Sequence, residues 1–423
     1  MADNMIVVTN NYPFGKGEEF LETEINYLSS SFDRILIIAL SQDPEVTRTV
    51  PKNVVYERFP DRRSLLGKMC ALRHIFDPRF FQEVMYVRNN YRLRVGRRVV
   101  RSMLSVMQSG QMIQKTIKNL IKAHNISGDI YLYSYWMNSA AYALSLYKEK
   151  QNKVRAFCRS HGYDLYFYRN RDNYLPFRSY ILNTLDSVYV ISDDGKRYLE
   201  NKVGDVARGK CVVSRLGVSN EYPSSPSSGD GIFRIVSCSS MSEVKRIDLL
   251  IETLSGILGI DISWTHIGGG TLERELRALA EDKLKDKRNI AYEFRGHMAN
   301  KEVYEYYANN PVDVFVNLSS SEGVPVSMME AFSFSIPIIA TDVGGVSEIV
   351  DDTNGILLSN DPSIEEIRSA LVKFAHSSVE DIMRYKRNAY KTWKTKYNAD
   401  TNYRRFVEKI KLGGRHEQEN IWV

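Results

Sequence analysis

The chain has 423 residues, a length that suits two domains of about 200 residues better than one. Its composition, 43% hydrophobic and 26% charged, is that of a globular protein and excludes a disordered or collagenous chain. The apolar runs are about six residues long, whereas a membrane-spanning helix needs about twenty, so we expect no membrane span. The first residues carry no basic and apolar leader, and we expect no secretory signal.

The four cysteines stand far apart, at positions 70, 158, 211 and 238. None of them forms a C-x-x-C pair, which disfavours a zinc ribbon or a disulfide framework. We expect four buried thiols in a reducing compartment, and therefore a cytoplasmic protein.

The net charge of +6 is unevenly distributed. Residues 58–124 contain 15 Lys and Arg against 3 Asp and Glu, whereas the rest of the chain is acidic overall. Apolar residues recur at near-helical intervals from Val84 to Met103, which predicts helices with arginine-rich faces. Such a surface suits phosphate backbones or anionic lipid headgroups, and a merely solvated helix face is the alternative.

In chain order, the first half begins with a β-rich run over 5–9, a helix over 18–28 and a strand over 34–40. Further strands are predicted at 131–135, 154–158 and 187–191. The run over 34–40 is continuously apolar, which is typical of a parallel sheet covered on both faces.

Nine of the thirteen residues at 219–231 are Ser, Pro or Gly, and we expect a linker there. Beyond it, strands are predicted at 233–238, 263–267, 291–295, 312–318 and 336–340, and helices at 246–258, 272–284, 301–308 and 326–334. This alternation predicts a doubly wound α/β domain, and we expect two α/β domains with a cleft between them.

The most informative strand end follows 312–318. A small polar loop containing Glu322 runs into Pro325, which suits the start of a helix whose N–H groups can bind phosphate. Glu330, one to two turns further, can accept hydrogen bonds from a diol such as ribose, and Glu322 can reach a second hydroxylated group. Together they suggest a sugar–diphosphate–ribose ligand; a loop charge and a solvated helix face are the alternative.

Because ligands collect at the carboxyl ends of parallel strands, the other strand ends are candidates too. They carry Gly15 to Gly17, His161, Ser240, Lys245, Arg246, Gly268 to Gly270, His297, Met298, and Gly344 with Gly345 before another predicted helix. Each has a structural alternative, since glycines serve tight turns and a single Lys or His is usually a surface charge or a core residue. No Walker A, G-x-G-x-x-G, H-E-x-x-H, G-x-S-x-G or D-x-D motif is present.

These residues resemble the signature of the family 4 retaining glycosyltransferases, whose E-x7-E pattern matches Glu322 and Glu330. The segments 161–166 and 244–248 further resemble bacterial enzymes of surface-polysaccharide assembly. The resemblance implies the GT-B fold, in which two Rossmann-like, doubly wound domains face each other across a cleft. The acceptor-binding domain would cover 1–218, the linker 219–231 and the donor-binding domain 232–396. It also implies that a helix within 397–423 crosses back to the first domain.

The resemblance implies roles for the site residues. Glu322, His161 and Lys245 would be catalytic: Glu322 and His161 would contact the donor sugar, and Lys245 would neutralise the leaving diphosphate. The implied donor-binding residues are Gly15, Gly17, Ser240, Arg246, Gly268, Gly269, His297, Met298, Gly323, Val324, Pro325, Val326, Ser327 and Glu330. Ser240 departs from the arginine usual in the family, and Arg246 is another source of that charge. No cofactor and no metal are implied.

The function expected from this resemblance is transfer of a hexosyl unit, with retention, from a UDP-sugar to a lipid-linked or polymeric glycan in bacterial cell-surface polysaccharide synthesis. The protein would be cytoplasmic and peripheral on the inner membrane face, bound to anionic lipid through 58–124. A nucleotide-sugar epimerase on the same fold is one alternative. A non-catalytic nucleic-acid-binding or regulatory module is the other, although no recognised nucleic-acid motif is present and we expect no nucleic acid.

Overall fold

The structure, a computed structural model, describes residues 2–59, 71–151 and 153–412. These residues divide into two compact units. Unit 1 contains the described residues up to Arg215 together with Tyr403 to Leu412, and unit 2 runs from Leu216 to Asn402. Cys70 and the other residues between 60 and 70 of the basic region lie outside the described residues.

Unit 1 contains a seven-stranded parallel sheet. Because its strands are apolar on both faces, helices must cover the sheet on each side. The strands are β1 (Asp3–Thr9), β2 (Arg34–Ala39), β3 (Val54–Arg58), β4 (Asp129–Ser134), β5 (Arg155–Ser160), β6 (Ser187–Val190) and β7 (Cys211–Val213). The helices are α1 (Glu19–Ser29), α2 (Pro78–Tyr86), α3 (Arg97–Ala123), α4 (Ser139–Lys148), α5 (Arg178–Thr184), α6 (Asp193–Val203) and α7 (Asp205–Arg208). The strand order is β3-β2-β1-β4-β5-β6-β7, so the direction of winding reverses between β1 and β4.

Unit 2 has a six-stranded parallel sheet of the same kind. Its strands are β8 (Phe233–Cys238), β9 (Ile262–Ile267), β10 (Ile290–Gly296), β11 (Val314–Asn317), β12 (Ile338–Thr341) and β13 (Gly355–Leu358). The helices are α8 (Ile247–Ser255), α9 (Glu273–Leu284), α10 (Asn300–Asn309), α11 (Val326–Ser333), α12 (Ile364–Ala375) and α13 (Val379–Thr392), and a last helix, α14, runs from Ala399 to Leu412. The order is β10-β9-β8-β11-β12-β13, so winding reverses between β8 and β11.

Each face of the unit 1 sheet has its own apolar core. On one face Ile6 and Val8 of β1 pack with residues of α3 and α4, and on the other Met5 and Val7 pack with residues of α1. Phe406 of α14 joins the second core. The guanidinium carbon of Arg159 lies 4.3 Å from the centre of the Phe406 ring. The segment 403–412 therefore belongs to unit 1 and contributes Phe406, Val407 and Ile410 to its core.

The structure differs from the sequence-based expectation in three places. The predicted arginine-rich helix is interrupted: α2 ends in a π-helical turn over Val87–Tyr91, Arg92 has φ +52°, and a new helix begins at Arg97. The expected linker 219–231 lies in unit 2, where the buried Ser225 bonds to Asn310. The loop containing Gly344 and Gly345 leads into a 3₁₀ turn over Val346–Glu348 rather than an α-helix.

Within the described ranges, no helix combines the length and the apolar character needed to cross a bilayer.

Candidate functional site

A lysine and a glutamate meet where winding reverses in unit 2. Lys245 lies in the 3₁₀ turn after β8 and Glu322 in the loop after β11, and Lys245 Nζ is 2.5 Å from Glu322 Oε1. Asn317, at the end of β11, donates to the same carboxylate oxygen at 3.5 Å. The Glu322 side chain is only 10% exposed. The two side chains lie beyond the carboxyl ends of adjacent strands, where doubly wound sheets bind their ligands.

The loop that carries Glu322 is supported from behind by the glycine pair after β12. Gly345 N–H donates to the carbonyl of Gly323 at 2.8 Å. Gly344 has φ +58°, and a Cβ on it would lie 2.0 Å from the carbonyl oxygen of Glu322. Both residues therefore shape the Glu322 loop, and at position 344 only a residue without a side chain can approach it this closely.

Helix α11 begins directly after that loop with an open N-terminus. Pro325 is its N-cap residue and has no capping side chain. Within the described residues, the N–H groups of Val326 and Ser327 have no hydrogen-bond acceptor. Unpaired N–H groups at the positive end of the helix dipole are suited to an anion such as phosphate.

Glu330, on the same helix, is buried rather than solvated. Its side chain accepts a hydrogen bond from Asn300 Nδ2 at 2.5 Å. Burial raises the pKa of Glu330 to about 7, although the bond from Asn300 lowers it. The pKa of Cys238 is raised to about 12, first by burial and then by the charge of Glu330. Glu330 is therefore a buried carboxylate on α11, and its pKa is near neutral.

Arg246 is engaged by the backbone at the end of β11. Its Nε donates to the carbonyl of Leu318 at 2.5 Å, one terminal nitrogen donates to Ser319 O at 3.2 Å, and the other contacts Asp361 at 2.8 Å. The structure therefore gives Arg246 a role in fixing the loop. Ser240 is exposed and contacts Ser242.

The glycines after β9 line the same edge through main-chain contacts. A Cβ on Gly268 would lie 1.9 Å from the carbonyl oxygen of Ser239. Gly269 accepts from Met241 N–H at 3.0 Å, and a Cβ on Gly269 would be 3.9 Å from the nitrogen of His297. His297 is exposed and Met298 is half-buried. These main-chain contacts keep the loops after β8, β9 and β10 adjacent.

In unit 1, both glycines of the loop before α1 have their N–H groups bonded within the unit. Gly15 N–H donates to the carbonyl of Glu45 at 3.0 Å, and Gly17 N–H donates to Glu19 Oε1 at 2.8 Å. Arg48 donates to the carbonyl of Gly17 at 2.5 Å. In this conformation neither glycine N–H is available to a phosphate. The phosphate-binding role that the resemblance implies for this loop requires free N–H groups.

His161 follows β5 and is enclosed by aromatic rings. It is 8% exposed, and its ring centre lies 4.8 Å from that of Tyr135 and 4.5 Å from that of Trp136. Burial, followed by the charge of Arg159, lowers the pKa of His161 well below its usual value, so the ring is neutral. Neither ring nitrogen has a hydrogen-bond partner within the described residues.

Two carboxylates that we did not predict organise this part of unit 1. Glu18 accepts from the N–H groups of Asn11 and Tyr12 at 2.7 and 2.6 Å, and from the indole of Trp136. Asp164 accepts from the N–H groups of Met137 and His161, each at 2.8 Å. The bonds span more than a hundred residues in the case of Glu18 and Trp136, and a single sequence contains no signal for them.

The part of the chain that contains Lys245, Glu322 and Glu330 matches a known family. Residues 220–392 match the family described as glycosyl transferases group 1. Arg246, Gly344 and Gly345 also lie within this matched segment.

Curated relatives of the chain include two from Escherichia coli. The chain is 27% identical over 206 residues to the O-antigen biosynthesis glycosyltransferase WbnH, covering 48% of this chain and 55% of the relative. It is 28% identical over 214 residues to the putative colanic acid biosynthesis glycosyltransferase WcaL of strain K12, covering 47% and 50%. The chain thus spans about half the length of the curated relatives it matches.

Solved structures match almost the whole chain. The apo form of the lipopolysaccharide outer core galactosyltransferase WaaB superposes with a TM-score of 0.69 at 15% identity, covering 97% of this chain and 99% of that one. HepE from Anabaena, in complex with UDP and glucose, superposes with a TM-score of 0.66 at 15% identity, covering 96% and 99%. At this identity the likeness shows the fold, which is GT-B with two Rossmann-like domains.

Proposed function

We propose that the protein is a retaining glycosyltransferase that moves a hexosyl unit from a UDP-sugar to a lipid-linked or polymeric glycan in bacterial surface-polysaccharide synthesis. The observation that carries the proposal is the Lys245–Glu322 pair beside the open N-terminus of α11. The group 1 match, the O-antigen and colanic acid relatives, and the UDP bound to HepE support the donor and the pathway class.

In the proposed reaction, the N–H groups of Val326 and Ser327 bind the diphosphate, and Lys245 neutralises the charge that develops on it. Glu322 accepts hydrogen bonds from hydroxyls of the transferred sugar, and Glu330 accepts them from the ribose. Stabilising the departing diphosphate with preorganised donors lowers the barrier for breaking the anomeric C–O bond.

Retention follows if the acceptor hydroxyl attacks the face that the diphosphate leaves. The new bond joins the acceptor oxygen to the anomeric carbon, the bond from that carbon to the phosphate oxygen breaks, and the acceptor proton passes to the leaving phosphate. This step needs no protein base and no metal, so the neutral His161 has only to orient the substrate.

The described part of the basic region supports peripheral membrane binding. Large apolar side chains are exposed there next to exposed arginines, with Phe76 83% exposed. The others are Leu72, Phe81 and Met85. An apolar patch bordered by cations is typical of surfaces that bind anionic bilayers. Flotation should show binding to vesicles with phosphatidylglycerol and little to phosphatidylcholine alone; equal binding to both would contradict the electrostatic part.

The donor site is tested by thermal unfolding of the full chain with UDP, GDP or ADP in the presence of EDTA. A ligand at about 100 times its dissociation constant stabilises the folded state by about 2.7 kcal/mol. We expect UDP to raise the midpoint, Lys245→Met to remove most of that rise, and Lys301→Met, an exposed lysine on α10, to retain it. No shift with any nucleoside diphosphate would refute the proposal.

Transfer itself is tested by incubating the protein with UDP-hexoses and bacterial lipid-linked glycans and following UDP release. We expect release that depends on the acceptor and a product with the anomeric configuration of the donor. Conversion of the UDP-hexose to an isomer without acceptor would instead identify an epimerase.

A further inference from the structure

Two side chains with different tasks in the proposed reaction are bonded to each other. Lys245 Nζ lies 2.5 Å from Glu322 Oε1, and the lysine and glutamate side chains are 22% and 10% exposed. Within the described residues, the Glu322 carboxylate accepts one further hydrogen bond, from Asn317 Nδ2 at 3.5 Å. In this arrangement, the cation assigned to the diphosphate neutralises the carboxylate assigned to the sugar.

The main chain holds the two side chains within reach of each other. Lys245 lies in the turn after β8, and Ser320 lies in the loop after β11 that also carries Glu322. Ser320 N–H donates to the carbonyl of Val244 at 2.8 Å. Arg246 Nε donates to a main-chain carbonyl just after β11 at 2.5 Å. These bonds tie the turn to the loop independently of the ion pair, so either side chain can change its partner while the two segments stay in place.

The Lys245 ammonium group cannot serve Glu322 and a diphosphate equally well. Both are anions, and like charges that approach one cation repel each other. When Lys245 turns to the diphosphate, Glu322 keeps only the long bond from Asn317. A buried charge that loses its partner is costly. The diphosphate and Glu322 therefore compete for Lys245.

The nucleotide sugar and the free nucleoside diphosphate differ in what they offer Glu322. In the proposed complex, the sugar brings hydroxyl groups that donate to the carboxylate when Lys245 leaves it. The free nucleoside diphosphate ends at its phosphate and brings no such donor. Its binding therefore leaves Glu322 without a strong partner, or else leaves Lys245 on Glu322 and away from the diphosphate.

We propose that the Lys245–Glu322 pair shifts the affinity of this site toward the nucleotide sugar and away from the free nucleoside diphosphate, and so promotes release of that product. The pair opens when the sugar hydroxyls reach Glu322. It closes again once the sugar has been transferred, and Lys245 is then withdrawn from the diphosphate. This rests on the proposed transferase function and adds how the same site distinguishes its donor from its product.

The test is titration calorimetry on the full chain with UDP and with the UDP-activated forms of glucose, galactose, N-acetylglucosamine and N-acetylgalactosamine. We expect Glu322→Gln to lower the dissociation constant of UDP about tenfold, the scale of one hydrogen bond to a charged group. The same variant should not bind a UDP-hexose more tightly, because the sugar hydroxyls lose their carboxylate acceptor. Glutamine keeps the shape of the side chain, and the partly exposed Lys245 can reach water when it loses the pair.

A double-mutant cycle separates pairing from simple charge repulsion. If Glu322 acts by engaging Lys245, the gain in UDP affinity from Glu322→Gln should disappear in a Lys245→Met background. Simple repulsion between Glu322 and the diphosphate would leave that gain intact. Asp342→Asn is the matched control, because it removes an exposed carboxylate directly after β12, at the same edge of the sheet, and it should leave UDP affinity unchanged.

Three results would overturn the inference while leaving the UDP site in place. The first is a UDP dissociation constant that does not fall in Glu322→Gln, which would mean that Lys245 serves both groups at once. The second is a gain that persists in the Lys245→Met background, and the third is a wild type that binds UDP but no UDP-hexose. Absence of UDP binding to the wild type would instead refute the proposed function and this inference together.

Discussion

Glu330→Gln should stabilise the protein while weakening its binding of nucleotide. Burial of the carboxylate raises its pKa from 4.5 to about 7, so the folded protein takes up a proton between these values. Stability is therefore highest when Glu330 is protonated and falls as pH rises from about 4.5 to 7. A neutral glutamine of the same shape, still able to accept from Asn300, removes that dependence.

The size of the effect follows from the shift. A change of roughly 2.5 pKa units corresponds to about 3 kcal/mol at pH 8 and to less than about 1 kcal/mol at pH 5. We expect the unfolding midpoint of Glu330→Gln to exceed that of the wild type at pH 8 and to approach it at pH 5. Glu275→Gln, which changes an exposed glutamate on α9, should show no such trend.

The same variant tests the ribose role by titration with UDP. An ionised carboxylate accepts two hydroxyls better than an amide does, so we expect weaker UDP binding in Glu330→Gln at pH 8. Wild-type affinity should fall as the pH drops through about 7, and the variant should lose this dependence. A variant that is no more stable than the wild type at pH 8, or that binds UDP equally well, would refute the reasoning.

Three further substitutions test residues that hold the loops of the two units in place. Gly344→Ala should lower the free energy of unfolding, measured with urea, by more than about 2 kcal/mol, because its Cβ meets the Glu322 carbonyl. It should also reduce the rise in the midpoint with UDP. Gly259→Ala, a control that is also at positive φ but in open space, should cost only about 1 kcal/mol. Arg246→Ala should lose about 1–3 kcal/mol of stability with its bonds to the β11 end. Lost UDP binding at unchanged stability would instead mean that Arg246 grips the diphosphate directly. Glu18→Gln should lower the thermal midpoint and change the fluorescence of Trp136, since its amide would face N–H donors; unchanged spectra would contradict the bonding described.

Local pattern was sufficient to predict the strands that are buried on both faces. The run over 34–40 is continuously apolar, and β2 occupies Arg34–Ala39. The edge strand β3, at Val54–Arg58, was missed because its side chains are mostly half-exposed and its apolar run is short. A strand that packs on one side only leaves too weak a signal in a single sequence.

The break in the basic region could not be predicted, because apolar spacing continues across it. Val87, Tyr91 and Val95 fit one helical stripe, yet the chain leaves the helix at Arg92 with φ +52°. Neither glycine nor proline marks the position, since Gly96 comes only after the turn. The ring of Tyr91 packs on Phe167 at 5.1 Å, a tertiary contact that the sequence does not reveal.

The residues of the proposed donor site could be singled out from the sequence because Glu322, Pro325 and Glu330 belong to one continuous segment. The partners that give these residues their properties come from elsewhere: Lys245 and Asn300 each lie thirty residues or more away along the chain. The buried environment that raises the pKa of Glu330 is likewise a property of the packed sheet. The spacing of these residues in the sequence therefore suggested the class of ligand. The partners of Glu322 and the raised pKa of Glu330 depend on the packed fold.

The points where winding reverses in the two sheets have the same topology but differ in the hydrogen-bonding groups that their loops present. In unit 2 the α11 N-terminus keeps its N–H groups open and Lys245 stands beside them, so the crevice favours an anion. In unit 1 Glu18 and Asp164 occupy the corresponding N–H groups, and those of Gly15 and Gly17 are bonded as well. An anion there could not use these N–H groups and would meet two carboxylates. The loop residues, and not the sheets, therefore make the reversal point of unit 2 better suited to an anion than that of unit 1.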